Sequence, residues 1–140
     1  MKYTLILAFI SLILSCTTTK KTSTSPSLNG VWTAIKGEVG GQELPAAALE
    51  NAKLTFTDTT YVRVDPSGIG KGIVKYGNNK MDIYEKEGAL VGKHAKGIYK
   101  LETQQLTICY DLEENTDNNY PTSFETKSKP TLRLLVLKKQ

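Results

Sequence analysis

The chain has 140 residues, of which 39% are hydrophobic and 23% charged, and this composition fits one domain with a single modest core. The formal net charge is only +4 and the basic residues are spread along the chain, which excludes nucleic acid as a predicted partner. The two cysteines, Cys16 and Cys109, are too few for a disulfide-stapled domain or a metal site built from cysteines.

The N-terminal segment predicts an export signal that ends at a modified cysteine. Lys2 precedes a mostly apolar run over residues 5–14, which suits the core of a signal peptide and is shorter than the ~20 residues of a spanning helix. Ile13, Ser15 and Cys16 follow the pattern of a lipoprotein processing site. We therefore predict that residues 1–15 are removed and that Cys16 is lipidated. An ordinary secretory leader with an incidental cysteine is the alternative.

Residues 16–27 predict a lipid-bearing cysteine followed by a flexible tether, because the stretch is polar and contains Pro26. The lipid anchor on Cys16 makes a membrane the expected partner. Thr17 stands where enterobacterial sorting would read an aspartate as a signal for inner-membrane retention. By that analogy the expected location is the cell envelope, at the outer membrane and facing the periplasm.

From residue 28 onward, short runs of period two alternate with turn residues, which predicts antiparallel strands. The first strand is predicted over 28–36, followed by a flexible glycine-rich stretch (37–42) and a short helix over 45–51, with Pro45 near its first position. Residues 85–92 and 111–129 are predicted to be loops, and Gly70 and Gly72 to permit a bend or bulge. The other seven strands are predicted over residues 53–57, 60–64, 69–76, 80–84, 97–101, 106–110 and 131–138.

The short connections between these strands predict up-and-down antiparallel pairing. Eight such strands with one apolar face can close on themselves, which removes exposed edges. Residues 28–140 are therefore predicted to form an all-β domain, a small eight-stranded antiparallel barrel with one short helix after the first strand. A two-sheet sandwich is the alternative.

Gly30 and Trp32 form the G-x-W pattern that opens the first strand of lipocalins. The domain resembles a family of uncharacterised lipocalin-like bacterial domains, often lipoproteins and abundant in planctomycetes. The resemblance implies a calycin-type barrel and carries no activity with it. It also implies that Trp32 closes one end of the barrel under a basic residue of the last strand, Arg133 or Lys138, with plain core packing as the alternative. The matching blocks are residues 28–32, 37–38, 44–45, 54–56, 81–83, 97–101, 106–109, 121–124 and 134–138.

Alternation along each strand predicts which side chains face the barrel interior. Tyrosine is frequent, and its ring and hydroxyl suit a ligand with both apolar and polar parts. The strands are short, so an interior filled by side chains is an equally open alternative. The predicted inward positions are Trp32, Ala34, Phe56, Tyr61, Arg63, Tyr76, Ile83, Tyr99, Ile108 and Tyr110. The aromatic residues predicted to line a ligand site are Phe56, Tyr61, Tyr76, Tyr99 and Tyr110.

No pattern in the chain predicts catalysis, a cofactor or a metal. His94 stands alone between lysines and is expected to be solvated. Cys109 is expected to be a buried strand residue and not a reactive thiol. The glycines of residues 68–72 lie at a turn and a strand, which argues against a phosphate loop. The acidic residues expected to form a solvated loop, in preference to a calcium site, are Asp111, Glu113, Glu114 and Asp117.

Two functional hypotheses remain from the sequence. The first is a membrane-anchored binding protein that holds a small amphipathic or apolar molecule. The second is a structural or protein-interaction lipoprotein of the cell envelope, with a filled barrel and partners that the sequence does not identify. An enzyme is the least favoured class, because no nucleophile, base and orienting group can be named together.

Overall fold

The computed structural model describes residues 26–113 and 119–140. The predicted leader, Cys16, Glu114 and Asp117 lie outside these ranges. Within them, no helix is long and apolar enough to cross a membrane. The elements are β1 (Gly30–Val39), β2 (Gln42–Glu43), α1 (Ala46–Leu49), β3 (Lys53–Thr57), β4 (Thr60–Asp65), β5 (Gly68–Gly77), β6 (Lys80–Glu87), β7 (His94–Leu101), β8 (Gln105–Asp111) and β9 (Leu132–Lys139).

The strands form a closed antiparallel barrel. From β3 to β9 each strand pairs with the next along the chain, and β1 pairs with both β3 and β9. The barrel therefore has eight strands, and β2 is an additional short strand at the end of β1. The predicted all-β barrel is confirmed, and the two-sheet sandwich is not the observed arrangement.

The glycine-rich stretch 37–42 is not the flexible loop that the sequence predicted. β1 continues to Val39, because a bulge between Ala34 and Lys36 resets its register with β9. Gly40 and Gly41 then turn the chain with φ values of +55° and +83°. A type I′ hairpin turn requires positive φ at both of its central residues. Glycine and a few polar residues adopt this conformation readily. The returning β2 pairs with the end of β1.

Two strand boundaries also differ from the prediction. β6 continues to Glu87, so Glu85 belongs to a strand and not to the predicted loop, and β7 begins at His94, three residues before the predicted start. The charged run of residues 85–87 concealed the strand, because one of its side chains points inward where an apolar residue was expected. The register between β5 and β6 shifts between Lys71 and Gly72, which confirms a bulge near the two glycines.

One half of the barrel interior is filled by side chains around Trp32. The indole Nε1 of Trp32 donates a hydrogen bond to the carbonyl oxygen of Leu28 at 2.8 Å, and both residues are almost fully buried. Tyr76 and Tyr99 pack edge to face nearby, with ring centroids 6.1 Å apart. The other large side chains that are fully buried here or close by are Val74, Met81, Leu106, Ile108 and Leu137.

Lys139 lies over Trp32, with Nζ 5.4 Å from the ring centroid, so the choice of Arg133 or Lys138 for this contact was wrong. The register explains the difference, because Trp32 lies opposite Lys139 whereas Arg133 lies opposite Val39, near the far end of β1. Gly30 belongs to the same end cap. A Cβ atom at Gly30 would lie 3.1 Å from Cε of Lys139, and the φ of +128° also favours glycine.

Candidate ligand-binding cavity

The two ends of the barrel carry different connections. In an up-and-down barrel, every second connection lies at the same end. The plugged end carries the start of β1, the end of β9 and the short turns β3–β4, β5–β6 and β7–β8. The opposite end carries α1, the turn at Pro66 and Ser67, the β6–β7 loop and the β8–β9 connection. Residues from all four of these segments line the mouth of a cavity.

The cavity has a volume of ≈ 300 Å³ and occupies the half of the interior that side chains do not fill. A barrel filled throughout, the alternative left open by the sequence, is therefore not observed. Most of the wall is apolar, and α1 contributes Ala48 and Leu49 at the rim. The apolar side chains deeper in the wall include Ala34, Phe56, Ile83, Ile108 and Leu137.

A network of charged and hydroxyl groups forms one side of the wall. Nη2 of Arg63 lies 2.9 Å from Oε1 of Glu85, and Nη1 of Arg63 contacts the carboxylate of Asp65. The hydroxyl of Tyr61 donates a hydrogen bond to the other oxygen of Glu85. Glu85 is only 5% exposed, and each of its two carboxylate oxygens has one of these groups as a partner.

The pKa shifts of Arg63 and Asp65 favour their charged forms at neutral pH. Burial disfavours the charged form of Arg63, but hydrogen bonds with Asp65 and Glu85 outweigh this and raise its pKa. Burial also opposes ionisation of Asp65, yet hydrogen bonds from Ser67 and Arg63 lower its pKa. Burial, followed by the hydrogen bond to Glu85, raises the pKa of Tyr61. Arg63 and Asp65 are therefore ionised near pH 7 and Tyr61 is a neutral donor.

Two glycines of β5 make room for this network. A Cβ atom at Gly70 would lie 2.0 Å from Oε1 of Glu85 and 2.7 Å from Nη2 of Arg63. A Cβ atom at Gly72 would lie 2.7 Å from the ring of Tyr61. The barrel can therefore hold a buried ion pair at this level because β5 presents no inward side chain there.

Arg133 lines the cavity from β9, next to Tyr110 of β8. Among the described residues, Arg133 has neither an ion pair nor a hydrogen-bond partner for its side chain, and its Nε is buried without a partner. Burial raises the pKa of Tyr110, and the charges of Arg133 and Arg63 both act on its hydroxyl. Tyr110 is therefore a neutral side chain in the field of two guanidinium groups.

All ten side chains that were predicted to face inward do so. Of the five predicted ligand-lining aromatics, Phe56, Tyr61 and Tyr110 line the cavity. Tyr76 and Tyr99 belong instead to the filled half. The sequence prediction missed Glu85 and Asp65 of the cavity wall. The inward phase of β6, counted from Met81 and Ile83, would have identified Glu85.

The outer face of the barrel contains the other candidate residues. Cys109 is fully buried and burial raises its pKa to about 11, which confirms an unreactive strand residue. His94 is half-buried and not fully solvated as expected: its ring stacks on Tyr84 with centroids 4.2 Å apart, and its Nε2 lies 3.1 Å from Asp82. Asp111 was expected in a solvated loop, but it ends β8 and is buried, and both Asp111 and Glu113 contact Lys129. Among the described residues no acidic, histidine or cysteine cluster could hold a metal.

Comparison of the chain with protein-family models, with curated proteins and with solved structures found no match. The barrel and its cavity are therefore the starting point for a functional inference. The cavity combines an apolar floor with a charged wall and an open mouth, which is the arrangement of a site for a small molecule.

Proposed function

We propose that this protein is a lipid-anchored, lipocalin-like protein of the cell envelope that binds a small amphipathic or apolar molecule and is not an enzyme. The observation that supports the proposal is the cavity of ≈ 300 Å³, open at one end and plugged by Trp32 at the other. This volume lies at the lower limit of the ~300–1,000 Å³ that is usual for small-molecule sites. The ligand is accordingly small.

The lining favours a ligand with two chemically different parts. Transfer of an apolar body from water to the wall formed by Phe56, Ile108 and Leu137 is favourable. A polar end group finds donors and acceptors in two parts of the wall, at Arg63 and Glu85 on β4 and β6 and at Arg133 on β9. A purely apolar ligand would bury these groups without giving them partners, which costs free energy.

The proposed anchor determines which end of the barrel lies nearer the tether. Leu28 is buried at the plugged end, so the chain enters the barrel on the side opposite the mouth. With Cys16 in an outer-membrane leaflet, residues 17–27 would span at most roughly 35 Å between the lipid and the barrel. The mouth then lies at the end of the barrel away from the tether, where a ligand enters from the aqueous compartment.

The mouth can be blocked at α1 to test ligand binding. Ala48 lines the cavity, whereas the neighbouring Ala47 is exposed, so Ala48→Trp and Ala47→Trp are matched variants of one helix. Titration calorimetry with decanol, a neutral amphipath, should show binding to the natural chain and to Ala47→Trp. Binding to Ala48→Trp should be weaker by about tenfold or more, because an indole occupies the entrance.

Native mass spectrometry of the full chain purified from its own cell envelope complements this titration. A small molecule that co-purifies with the natural chain and is lost from Ala48→Trp would support the proposal. Absence of any co-purifying molecule, together with no decanol binding, would exclude the binding function.

The anchor requires a separate test. The natural chain should fractionate with membranes and enter the detergent phase on phase separation. Cys16→Ser should not be lipidated and should lose this partition, whereas Cys109→Ser should keep it. Equal behaviour of the natural chain and Cys16→Ser would contradict lipidation at that residue.

A further inference from the structure

We propose that the ligand carries an anionic head group, a carboxylate, and that Arg133 is the residue that binds it. This inference rests on the proposed function, because it concerns the same cavity. It identifies the chemical class of the ligand, an amphipathic anion with a short apolar body.

The position of Arg133 is the first argument. It lies on β9 with its neighbours Tyr110 on β8 and Val39 on β1, and it lines the cavity beside an otherwise apolar surface. No described carboxylate contacts its side chain, and because Nε is enclosed by protein, its two terminal nitrogens are the atoms that can meet a ligand. An arginine stays charged in proteins, so it cannot relieve this situation by losing a proton. A negatively charged ligand would satisfy it.

Arg63 provides an internal comparison. It is the only other arginine of the chain and lines the same cavity. Arg63 has two carboxylate partners, Asp65 and Glu85, and Glu85 is further held by Tyr61. These two carboxylates therefore already have a counter-ion on the opposite part of the wall. Nε is buried without a partner in both arginines, but only Arg133 lacks a carboxylate among the described residues, and this difference favours an anionic ligand at Arg133.

Tyr110 supplies a second donor for the same anion. Its hydroxyl has no hydrogen-bond partner among the described residues and lies in the field of Arg133. A guanidinium offers two parallel N–H donors that match the two oxygens of a carboxylate, and a phenol adds a third. An amine head group would be repelled by the guanidinium of Arg133. An alcohol would leave the charge of this guanidinium without a counter-ion.

The test compares ligands that share an apolar chain and differ in the head group: decanoate, decanol and decylamine. Titration calorimetry on the full chain at low ionic strength should rank decanoate first, by about tenfold or more over decanol. Arg133→Gln should weaken decanoate on the order of tenfold to a hundredfold and change decanol by less than about threefold. Tyr110→Phe should weaken decanoate by a smaller factor.

Lys71→Gln is the matched control, because it removes the same charge from an exposed side chain on the outer face of β5. Lys71→Gln should leave the affinities for decanoate and decanol unchanged. Binding of either compound elsewhere on the chain would affect the two variants equally. If Arg133→Gln does not fold, Arg133→Lys keeps the charge and should still weaken decanoate by losing the two-donor geometry.

The outcomes separate the two proposals. Equal affinity for decanoate and decanol, unchanged in Arg133→Gln, would overturn the anion inference and leave the binding function intact. Absence of binding for all three compounds would overturn the binding function itself. Preferential binding of decylamine would also overturn the anion inference, since it would assign the head group to Glu85 or Asp65.

Discussion

At the residue scale, the cavity is shaped by side chains that are missing from β5. Gly70 and Gly72 face inward between strands that carry Arg63, Tyr61 and Glu85, and each glycine leaves the space that one of these groups occupies. Arg63 on β4 and Glu85 on β6 therefore make contact across β5, which lies between them. This close approach explains why glycine, normally unfavourable within a strand, stands at two alternate positions here.

Gly70→Ala should destabilise the protein by roughly 1–3 kcal/mol, because the added methyl group would displace the carboxylate of Glu85 from Arg63. The measurement is the free energy of unfolding from urea titration monitored by circular dichroism. Gly77→Ala on the same strand meets nothing within 4 Å and is the control, with an expected change within ~0.5 kcal/mol. Equal stability of the two variants would refute the steric role of Gly70.

At the element scale, the β8–β9 connection is fastened to the β1–β2 hairpin through one buried threonine. Oγ1 of Thr126 accepts a hydrogen bond from the amide of Gly41 at 2.8 Å and donates one to the carboxylate of Glu38. Lys129, at the other end of this segment, contacts Asp111 on β8. Residues 119–131, which contain no helix or strand, are thus held against the outside of the barrel.

Thr126→Val preserves the shape of the side chain and removes both hydrogen bonds. It should cost roughly 1–3 kcal/mol, because the Gly41 amide and Glu38 are left without this partner in a protected site. Amide hydrogen exchange should show faster exchange at Gly41 in this variant. Thr122→Val, at an exposed position of the same segment, should change neither the stability nor the exchange rate.

The elements show how far the sequence alone could lead. Period-two alternation located every barrel strand and the inward phase of its predicted residues, because apolar side chains dominate that face in most strands. The same rule failed where a charged side chain faces the interior, as at Glu85 on β6. It also failed at the β1–β2 hairpin, where a bulge interrupts the alternation. The unpaired state of Arg133 depends on three-dimensional neighbours, so no sequence pattern predicts it.

At the scale of the whole molecule, several carboxylates connect separate parts of the chain and make stability sensitive to acid. Asp82 holds Lys96, His94 and Tyr120, and Asp111 holds Lys129. Burial opposes ionisation of Asp82, but the hydrogen bond from Lys96 and those from Tyr120 and His94 lower its pKa. Burial also opposes ionisation of Asp111, but the hydrogen bond from Lys129 together with other hydrogen bonds lowers its pKa. Both ion pairs cross between different segments.

A carboxyl group with a lowered pKa in the folded state stabilises that state above its unfolded value of about 3.9, and the contribution is lost as the pH falls through the folded value. The free energy of unfolding should therefore decline steadily below about pH 5. Asp82→Asn should be less stable than the natural chain at pH 7 and should show a flatter decline. The difference between the two should shrink toward pH 2, as measured by urea titration across this range. A constant difference at every pH would contradict the assignment.

The pairing of β1 with β9 has a consequence for how the molecule is made. Trp32 and Lys139 are neighbours across that seam although roughly 100 positions separate them along the chain, so the seam is among the least local contacts of the fold. A chain in which residues 132–139 have not yet docked has two unpaired edges, β1 and β8. β9 therefore closes the barrel, and the native state becomes available only when this strand pairs with both edges.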